Sequence, residues 1–185
     1  MQWEWLEQEI TYDGSQLHSL YAYLNHKILG DSIVSWAGPC RVDFEHMVDG
    51  EDLLSESAIE GSRMLHFIVE KFEVSLFSAV ALQRLMASIC QDLIYELSQT
   101  HLLRSGDDLY LDGKKLSISI ATQSPVSSLV HFAVNLSNEG TPVPTLCLGD
   151  LGIDSEADFA STLMERFASE VDSITQATQK VKWVK

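Results

Sequence analysis

The stretch that decides the fold of this chain is GDDLYLDGKKLSISIAT, residues 106–122. Leu109–Leu111 predicts a short strand, and Asp112-Gly113 is a two-residue hairpin signal because both residue types tolerate a positive φ. Beyond the turn, apolar residues at 116, 118 and 120 alternate with small ones, which is the period of a half-buried strand. We therefore expect Leu109–Leu111 and Leu116–Thr122 to be antiparallel neighbours in one sheet, packed on a long helix.

A lysine pair, Lys114-Lys115, stands at the entry of the second predicted strand. A turn of this kind holds a lysine in a fixed place, and a fixed ammonium can bind a carboxylate, a phosphate or a developing oxyanion. Lys115 is therefore a candidate site residue, whereas Lys114 is expected to be a solvated neighbour. The alternative for Lys115 is an exposed lysine with no further role.

The remaining elements are grouped rather than alternating. Apolar periodicity predicts a long helix over Ser75–Thr100 and a second one that begins after the cap residue Ser155. A shorter helix and four strands are predicted at Leu17–Ile28, Trp3–Ile10, Ser32–Trp36, Met64–Phe72 and Ser127–Ser137. This order favours an α+β fold, with a central, mainly antiparallel sheet packed by helices, in a single domain spanning residues 1–185.

The charge of the chain is strongly negative. It has 27 Asp and Glu against 12 Lys and Arg, a formal net charge of −15. A phosphate backbone needs a basic face, so we expect no nucleic-acid partner. Many of the acids lie in residues 41–62, which read as a long surface loop that is either functional or a solvated excursion. Asp49, Glu51 and Asp52 could bind a divalent cation there, but a solvated charge run is the simpler expectation, so no metal site is predicted.

Three widely spaced cysteines and no basic, apolar leader argue for a reducing cytoplasm. No apolar run reaches the length of a membrane span, so no membrane partner is expected. Cys90 lies in the predicted long helix and reads as core. Cys147, in the loop Asn138–Gly149, is a candidate nucleophile, with a small buried hydrophobe as the alternative.

The order of elements resembles the superfamily of biotin and lipoate protein ligases, including its octanoyltransferase branch. In that superfamily a strand and a long helix precede an Asn-Asp-Leu-Tyr-like strand, a turn, an essential lysine and a second strand. The corresponding residues here are Asp107–Leu111 and Gly113–Ser117, and the resemblance places the essential lysine at Lys115. It also implies a ligand-binding role for Asn135, at the end of the strand Val130–Leu136, and for Cys147 the role of the branch's cysteine.

The whole chain also resembles the family known as domain of unknown function 366. The residues that carry this resemblance are Tyr12-Asp-Gly-Ser15, Gly38-Pro39-Cys40, Met47-Val-Asp49, Met64-Leu-His-Phe67, Ser124-Pro-Val-Ser127 and Gly140-Thr-Pro-Val-Pro144. This second resemblance implies no activity.

The chain departs from the ligase pattern at two places. The ligases have a glycine- and arginine-rich loop whose backbone amides hold the adenylate. The nearest stretch here is Trp36–Arg41, with one glycine (Gly38), one arginine (Arg41) and a proline that removes a donor. The ligases also place glycine three residues after the lysine, where this chain has Ile118. The octanoyltransferase branch tolerates a side chain at this place, so the second departure favours that branch. Because the glycine-arginine loop is missing, we expect weak or no ATP binding, and the cofactor is unknown.

Other candidates for ligand contact are His131 and Arg63. His131, in an apolar strand, could act as a general base or orient a ligand, or could be a core histidine; His66 has the same alternatives. Arg41 and Arg63 flank the acidic loop and could bind a carboxylate or phosphate, or pair with nearby acids.

These features predict an acyl-transfer or carboxylate-activating enzyme centred on Lys115, whose partners are a small acyl or carboxylate ligand and an acceptor protein. One rival is a non-catalytic small-molecule or protein-binding module on the same fold. Another is a nucleotide- or metal-dependent enzyme that uses the acidic loop. Enzymatic activity is thus left open between these alternatives.

Overall fold

The structure, a computed structural model, describes residues 1–55, 59–141 and 143–184. Its strands and helices in chain order are β1 (Gln2–Trp5), α1 (Tyr21–His26), β2 (Ser32–Val42), α2 (Gly50–Ser55), β3 (Ile59–Phe72), α3 (Leu76–Ser98), β4 (Leu103–Ser105), β5 (Asp108–Leu111), β6 (Lys114–Lys115), β7 (Ser117–Gln123), β8 (Ser127–Asn135) and α4 (Glu156–Gln179). Short 3-10 helices lie at Phe44–His46 and Leu148–Leu151.

The centre of the molecule is a five-stranded sheet in the order β1-β2-β3-β8-β7. The outer pair β1–β2 is parallel and the other neighbours are antiparallel. Strands β4, β5 and β6 form a separate three-stranded antiparallel sheet. The predicted α+β class, with a mainly antiparallel central sheet packed by helices, is confirmed.

One face of the central sheet packs on the two long helices. Ser155 caps α4 as predicted, and Ser75 caps α3 in the same way, because each side-chain oxygen accepts a hydrogen bond from the backbone amide three residues later. The buried side chains of this layer include Ile33, Leu65, Phe67, Phe132 and Val134 from the sheet and Met86, Cys90, Leu93, Phe159, Leu163 and Phe167 from the helices.

The opposite face of the sheet is covered only in part. The segment between β1 and β2 lies over it and buries Leu6, Tyr12, Tyr21, Val34, Trp36 and Ile68. The indole Nε1 of Trp36 donates a 2.9 Å hydrogen bond to the carbonyl of Ile10, which ties this segment to the sheet. The uncovered part of the face forms the cleft described below.

The predicted hairpin forms, but its two strands diverge. Asp112 and Gly113 have φ of 50° and 77°, as the turn requires. However, the strand paired with β5 is only Lys114–Lys115; β7 leaves to pair with β8. The prediction that Leu109–Leu111 and Leu116–Thr122 share one sheet is therefore wrong. Leu116 still donates its amide to the Leu109 carbonyl, and that contact marks the point of divergence.

Strand β2 continues through Gly38-Pro39, where we expected it to end. A bulge between Gly38 and Cys40 accommodates the proline, which lacks an amide hydrogen. Gly38 is needed because a Cβ there would lie 2.0 Å from the Ile10 carbonyl oxygen. In contrast, the strand predicted at Trp3–Ile10 spans only Gln2–Trp5, and the helix predicted at Leu17–Ile28 spans only Tyr21–His26.

The acidic stretch 41–62 is more ordered than the predicted loop. It contains the end of β2, the 3-10 helix Phe44–His46, helix α2 and the start of β3. Residues 56–58 lie outside the described part of the chain. This stretch supplies one wall of the cleft.

Candidate functional site

A cleft of about 780 Å³ opens on the sheet face that the long helices leave uncovered. Its floor comes from β3, β7 and β8, and its walls come from residues 42–52 and 59–60, from the β5–β6 hairpin and from the loop after β8. The floor carries the apolar side chains of Met64, Ile118 and Ile120. Its polar side chains are those of His131 and Asn135. An apolar floor with few polar groups is typical of small-molecule sites.

Lys115 lines this cleft and is fixed by its backbone on two sides. Its amide donates to the Pro144 carbonyl and its carbonyl accepts from the Leu146 amide, both at 3.0 Å. Its Nζ lies 2.9 Å from Oδ2 of Asp108. An ammonium has three donors, so this ion pair leaves donors available for a ligand.

Asn135, at the end of β8, holds the backbone of Lys115 through its side-chain amide. Its Nδ2 donates to the carbonyls of Lys115 at 3.0 Å and Leu146 at 3.1 Å. The side chain is buried, so these bonds are worth more than surface ones. Asn135 is thus a positioning residue for Lys115, and it also lines the cleft.

The cleft walls are rich in carboxylates. Acidic side chains outnumber the cations Arg84 and Lys115, and they are Asp49, Glu51, Asp52, Glu60, Asp107 and Asp108. Partial burial, followed by repulsion from Asp49, raises the pKa of Asp52, and Lys115 opposes that shift. Asp107 is engaged by Arg84 and by the Ser119 hydroxyl at 2.6 Å. The field in the cleft therefore disfavours a polyanion such as a triphosphate.

Two histidines and a tyrosine form a stacked group at the floor of the cleft. Nδ1 of His66 lies 3.1 Å from Nε2 of His131, and Nε2 of His66 lies 3.1 Å from the Gly38 carbonyl oxygen. The Tyr12 ring stacks on His131 with 3.7 Å between centroids and 10° between planes. Burial lowers the pKa of His66 to about 4 and holds that of His131 well below its usual 6.5. Both rings are therefore neutral near pH 7.

Of the residues predicted for the site, the cleft brings together Lys115, His131 and Asn135. Gly38 lies in β2, where it makes room for the Ile10 carbonyl. Arg41 is exposed and does not line the cleft. Arg63 forms a two-bond ion pair with Glu156, at 2.6 and 2.8 Å, that joins β3 to α4.

Cys147 does not line the cleft either. The Cys147 thiol accepts a hydrogen bond from the backbone amide of Asp150. In return, Oδ2 of Asp150 accepts one from the backbone amide of Cys147 at 3.1 Å. These two bonds form a capping box at the start of the 3-10 helix Leu148–Leu151. The residue is buried and free of any disulfide. This position is that of a structural cysteine and lends no support to a nucleophile facing Lys115.

Sequence reasoning missed Tyr12 and Asp108 as cleft residues and gave His66 less weight than His131. Tyr12 belongs to a stretch that predicts only a turn, and its contact with His131 spans more than a hundred residues. The proximity of His66 and His131 depends on the register of β3 against β8, which pairs Ile68 with His131. Asp108 offered a usable signal, since it lies two residues before Tyr110, which the hairpin pairs with Lys115.

The described part of the chain contains no cluster of three or more His, Cys, Asp or Glu side chains suited to a metal ion. Among the described helices, none has the length and apolarity to cross a membrane.

Comparison with known proteins agrees with this description of the fold. The model of the family described as domain of unknown function (DUF366) matches residues 1–182. An uncharacterized protein of Methanocaldococcus jannaschii is 32% identical over 181 residues, which cover 95% of this chain and 81% of that protein. A protein of unknown function from Pyrococcus horikoshi superposes with a TM-score of 0.94 at 39% identity, covering 99% of this chain and 100% of that one.

More distant structures share the fold alone. The biotin protein ligase of Aquifex aeolicus in complex with biotin and ATP has a TM-score of 0.63 at 14% identity, covering 95% of this chain and 72% of the ligase. A protein from T. acidophilum solved with bound lipoic acid has a TM-score of 0.53 at 14% identity, covering 92% of this chain and 86% of that protein.

Proposed function

Because this chain belongs to the family described as domain of unknown function (DUF366) and has the fold of biotin protein ligases, we propose that it is an acyl-transfer or carboxylate-activating enzyme centred on Lys115. The observation that carries the proposal is the position of Lys115. Its backbone is held from two sides and its ammonium stands at the wall of an apolar-floored cleft. Fold similarity by itself implies no activity, so the argument rests on this residue.

The chemistry that this position supports is attack of an amine on an activated acyl group. A new C–N bond forms while the carbonyl π electrons move to the oxygen, which becomes an oxyanion beside Nζ of Lys115. When the intermediate collapses, the C–S bond of a thioester donor breaks, and the departing thiolate takes the proton that the amine loses. A fixed cation at the developing charge lowers the barrier, and losing one such donor costs about 100- to 1000-fold in rate.

The nucleophile in this proposal is an amine of an acceptor, such as a lysine of an acceptor protein. The alternative is Cys147 as the carrier of a thioester. An amine fits better, since Cys147 caps a 3-10 helix outside the cleft.

The rival proposal is a binding module without chemistry. It is favoured by the course of β2, which takes Gly38–Arg41 into paired strand and leaves no glycine-rich phosphate loop there. The acidic walls also disfavour the binding of ATP. An enzyme of this kind would therefore need an acyl ligand that has already been activated before it binds. A nucleotide- or metal-dependent enzyme built on the acidic wall is a third, weaker candidate.

We place the protein in the cytoplasm, where its three free cysteines would stay reduced. Its net charge of −15 disfavours nucleic acid as a partner. The cofactor, if there is one, is left unassigned.

The rate of thiol release from an octanoyl thioester in the presence of an amine tests the proposal. Native mass spectrometry of the purified protein is a separate search for a bound acid. Lys115→Met removes the charge and keeps most of the bulk, and we expect it to lower kcat/KM about 100-fold or more. Lys114→Met is the matched control, because Lys114 is exposed on the same two-residue strand. Equal rates for wild type and Lys115→Met would refute a role for the ammonium, and no turnover with ligand binding intact would favour the binding module.

A further inference from the structure

The buried histidine pair fixes the position of two protons. A carbonyl oxygen only accepts hydrogen bonds, so Nε2 of His66, 3.1 Å from the Gly38 carbonyl, carries the hydrogen. In a neutral ring Nδ1 is then bare and accepts. Its partner at 3.1 Å, Nε2 of His131, must donate. By the same rule Nδ1 of His131 is left with a free lone pair.

That lone pair has no partner in the part of the chain that the structure describes. No hydrogen bond reaches Nδ1 of His131 from the described residues, and the atom is not among their fully buried, unpartnered polar atoms, which are Nε2 of His26 and Oγ of Ser35. His131 itself is only 3% exposed, and it lines the cleft. What little access this nitrogen has is therefore to the cleft.

The ring of His131 cannot turn to use the lone pair elsewhere. Tyr12 stacks on it and His66 holds its Nε2. When a ligand without a matching donor displaces water from such an oriented, desolvated acceptor, the acceptor loses its hydrogen bond. That loss costs free energy, because a buried polar group is left without a partner. A site of this kind discriminates strongly between ligands that have the matching donor and ligands that lack it.

We propose that His131 is a specificity-determining residue of the cleft, accepting through Nδ1 a hydrogen bond from a neutral N–H or O–H donor of the ligand. The neighbouring side chains Tyr12, Ile118 and Ile120 suit an otherwise apolar group around that donor. His131 precedes Asn135, which holds Lys115, by four residues of β8, or about 13 Å along the strand. The ligand class is thus a molecule with an acyl or carboxyl end at Lys115 and a neutral donor group that reaches His131. Only the acyl end of this description rests on the proposed function.

The test uses two small lactams that differ by one methyl group, 2-pyrrolidinone with its N–H and N-methyl-2-pyrrolidinone without it. The readout is the side-chain ¹⁵N spectrum of wild-type protein at pH 7.5. In the free protein we expect His131 to show a bare Nδ1 and a protonated Nε2. Adding 2-pyrrolidinone should move the Nδ1 resonance toward the value of a protonated nitrogen, and the N-methyl lactam should leave it in place.

Lys115→Met separates this inference from the proposed function, because the lactams carry no carboxylate. The variant should lose acyl transfer and keep the Nδ1 response. A protonated Nδ1 in the free protein, equal responses to both lactams, or no response up to the highest lactam concentration at which the protein stays folded would each overturn the inference. His131→Phe gives a second measurement, since it should abolish any difference in affinity between the two lactams.

Discussion

The side-chain amide of Asn135 holds the backbone of Lys115, donating from Nδ2 to its carbonyl oxygen at 3.0 Å. The same nitrogen donates to the carbonyl of Leu146 at 3.1 Å, so one buried amide joins the end of β8, the hairpin strand β6 and the loop beyond β8. The lysine therefore owes its position to groups that are far apart in sequence.

Asn135→Ala should destabilise the protein by about 1–3 kcal/mol, because it leaves the Leu146 carbonyl without its buried donor and removes one of the two donors to the Lys115 carbonyl. It should also weaken ligand binding through displacement of Lys115. Guanidinium unfolding and a ligand titration measure the two effects. Asn138→Ala is the control, since Asn138 is exposed and, among the described residues, its side chain bonds to Asp150 alone. Equal stability of the two variants would contradict the role given to Asn135.

Asp108→Asn should free the Lys115 ammonium from its competing carboxylate and so tighten the binding of an acid. The pair is about one-quarter exposed on each side, so its loss should change stability by about 1 kcal/mol at most. Calorimetric titration with octanoic acid checks the affinity. Asp112→Asn removes a charge from the same hairpin without touching the lysine, and asparagine tolerates the positive φ of that turn position. Weaker binding by Asp108→Asn than by wild type would count against the competition.

Acid should destabilise the fold before most carboxylates titrate. Below pH 6.5 the unfolded chain takes up protons on both imidazoles, whereas folded His66 resists protonation down to about pH 4. The unfolded state then binds more protons, so stability rises with pH across this window, by up to about 1.4 kcal/mol per pH unit for each imidazole. Tyr12 stacks on both rings, and Cys40 pairs with Tyr12. Burial raises the pKa values of both side chains, so both stay neutral there.

Guanidinium midpoints measured between pH 7.5 and pH 5 test this dependence. His131→Phe should reduce the slope, because it removes one of the two buried imidazoles. A flat profile for the wild type would show that the pair is not held neutral.

Binding of ATP should be weak. Gly38–Arg41 is committed to strand pairing, and the cleft walls carry an excess of carboxylates. Calorimetry with ATP and magnesium measures the affinity. A micromolar Kd would reveal a phosphate site that these features do not predict.

Much of the fold was predictable because its signals are local. The two long helices have periodic apolar faces and serine caps, and the Asp112-Gly113 turn is set by backbone preferences. The partner of β7 was not predictable in this way, because alternation indicates a half-buried strand without naming its neighbour. In fact the apolar Ile118 faces the cleft side while Ser119 faces α3, hydrogen-bonded to Gln83 at 2.8 Å.

The candidate site likewise combines contacts that local sequence predicts with contacts that depend on long-range strand pairing. Lys115 and its counter-ion Asp108 belong to one hairpin, so their proximity follows from a short stretch of sequence. His66, His131 and Tyr12 meet only through the registers of β2, β3 and β8, which depend on the packing of the whole sheet. Proline at position 39 likewise predicts a strand end unless the bulge beside it is known.

Cys147 offers a test between the two nucleophiles. If it is structural, it should react slowly with iodoacetamide in the folded protein, and Lys115→Met should not change its rate. Mass spectrometry of the labelled protein follows each cysteine separately, with buried Cys90 as the internal reference. Rapid labelling of Cys147 that slows in Lys115→Met would restore the thioester mechanism.

The most direct test of the central claim is a calorimetric comparison of wild type, Lys114→Met and Lys115→Met with octanoic acid, lipoic acid and biotin. We predict that at least one of these acids binds wild type and Lys114→Met with the same Kd. Lys115→Met should bind that acid at least tenfold more weakly, a loss of about 1.4 kcal/mol. Binding that is indifferent to Lys115, or no binding of any of the three acids to the wild type, would contradict the assignment of this cleft as an acyl site centred on Lys115.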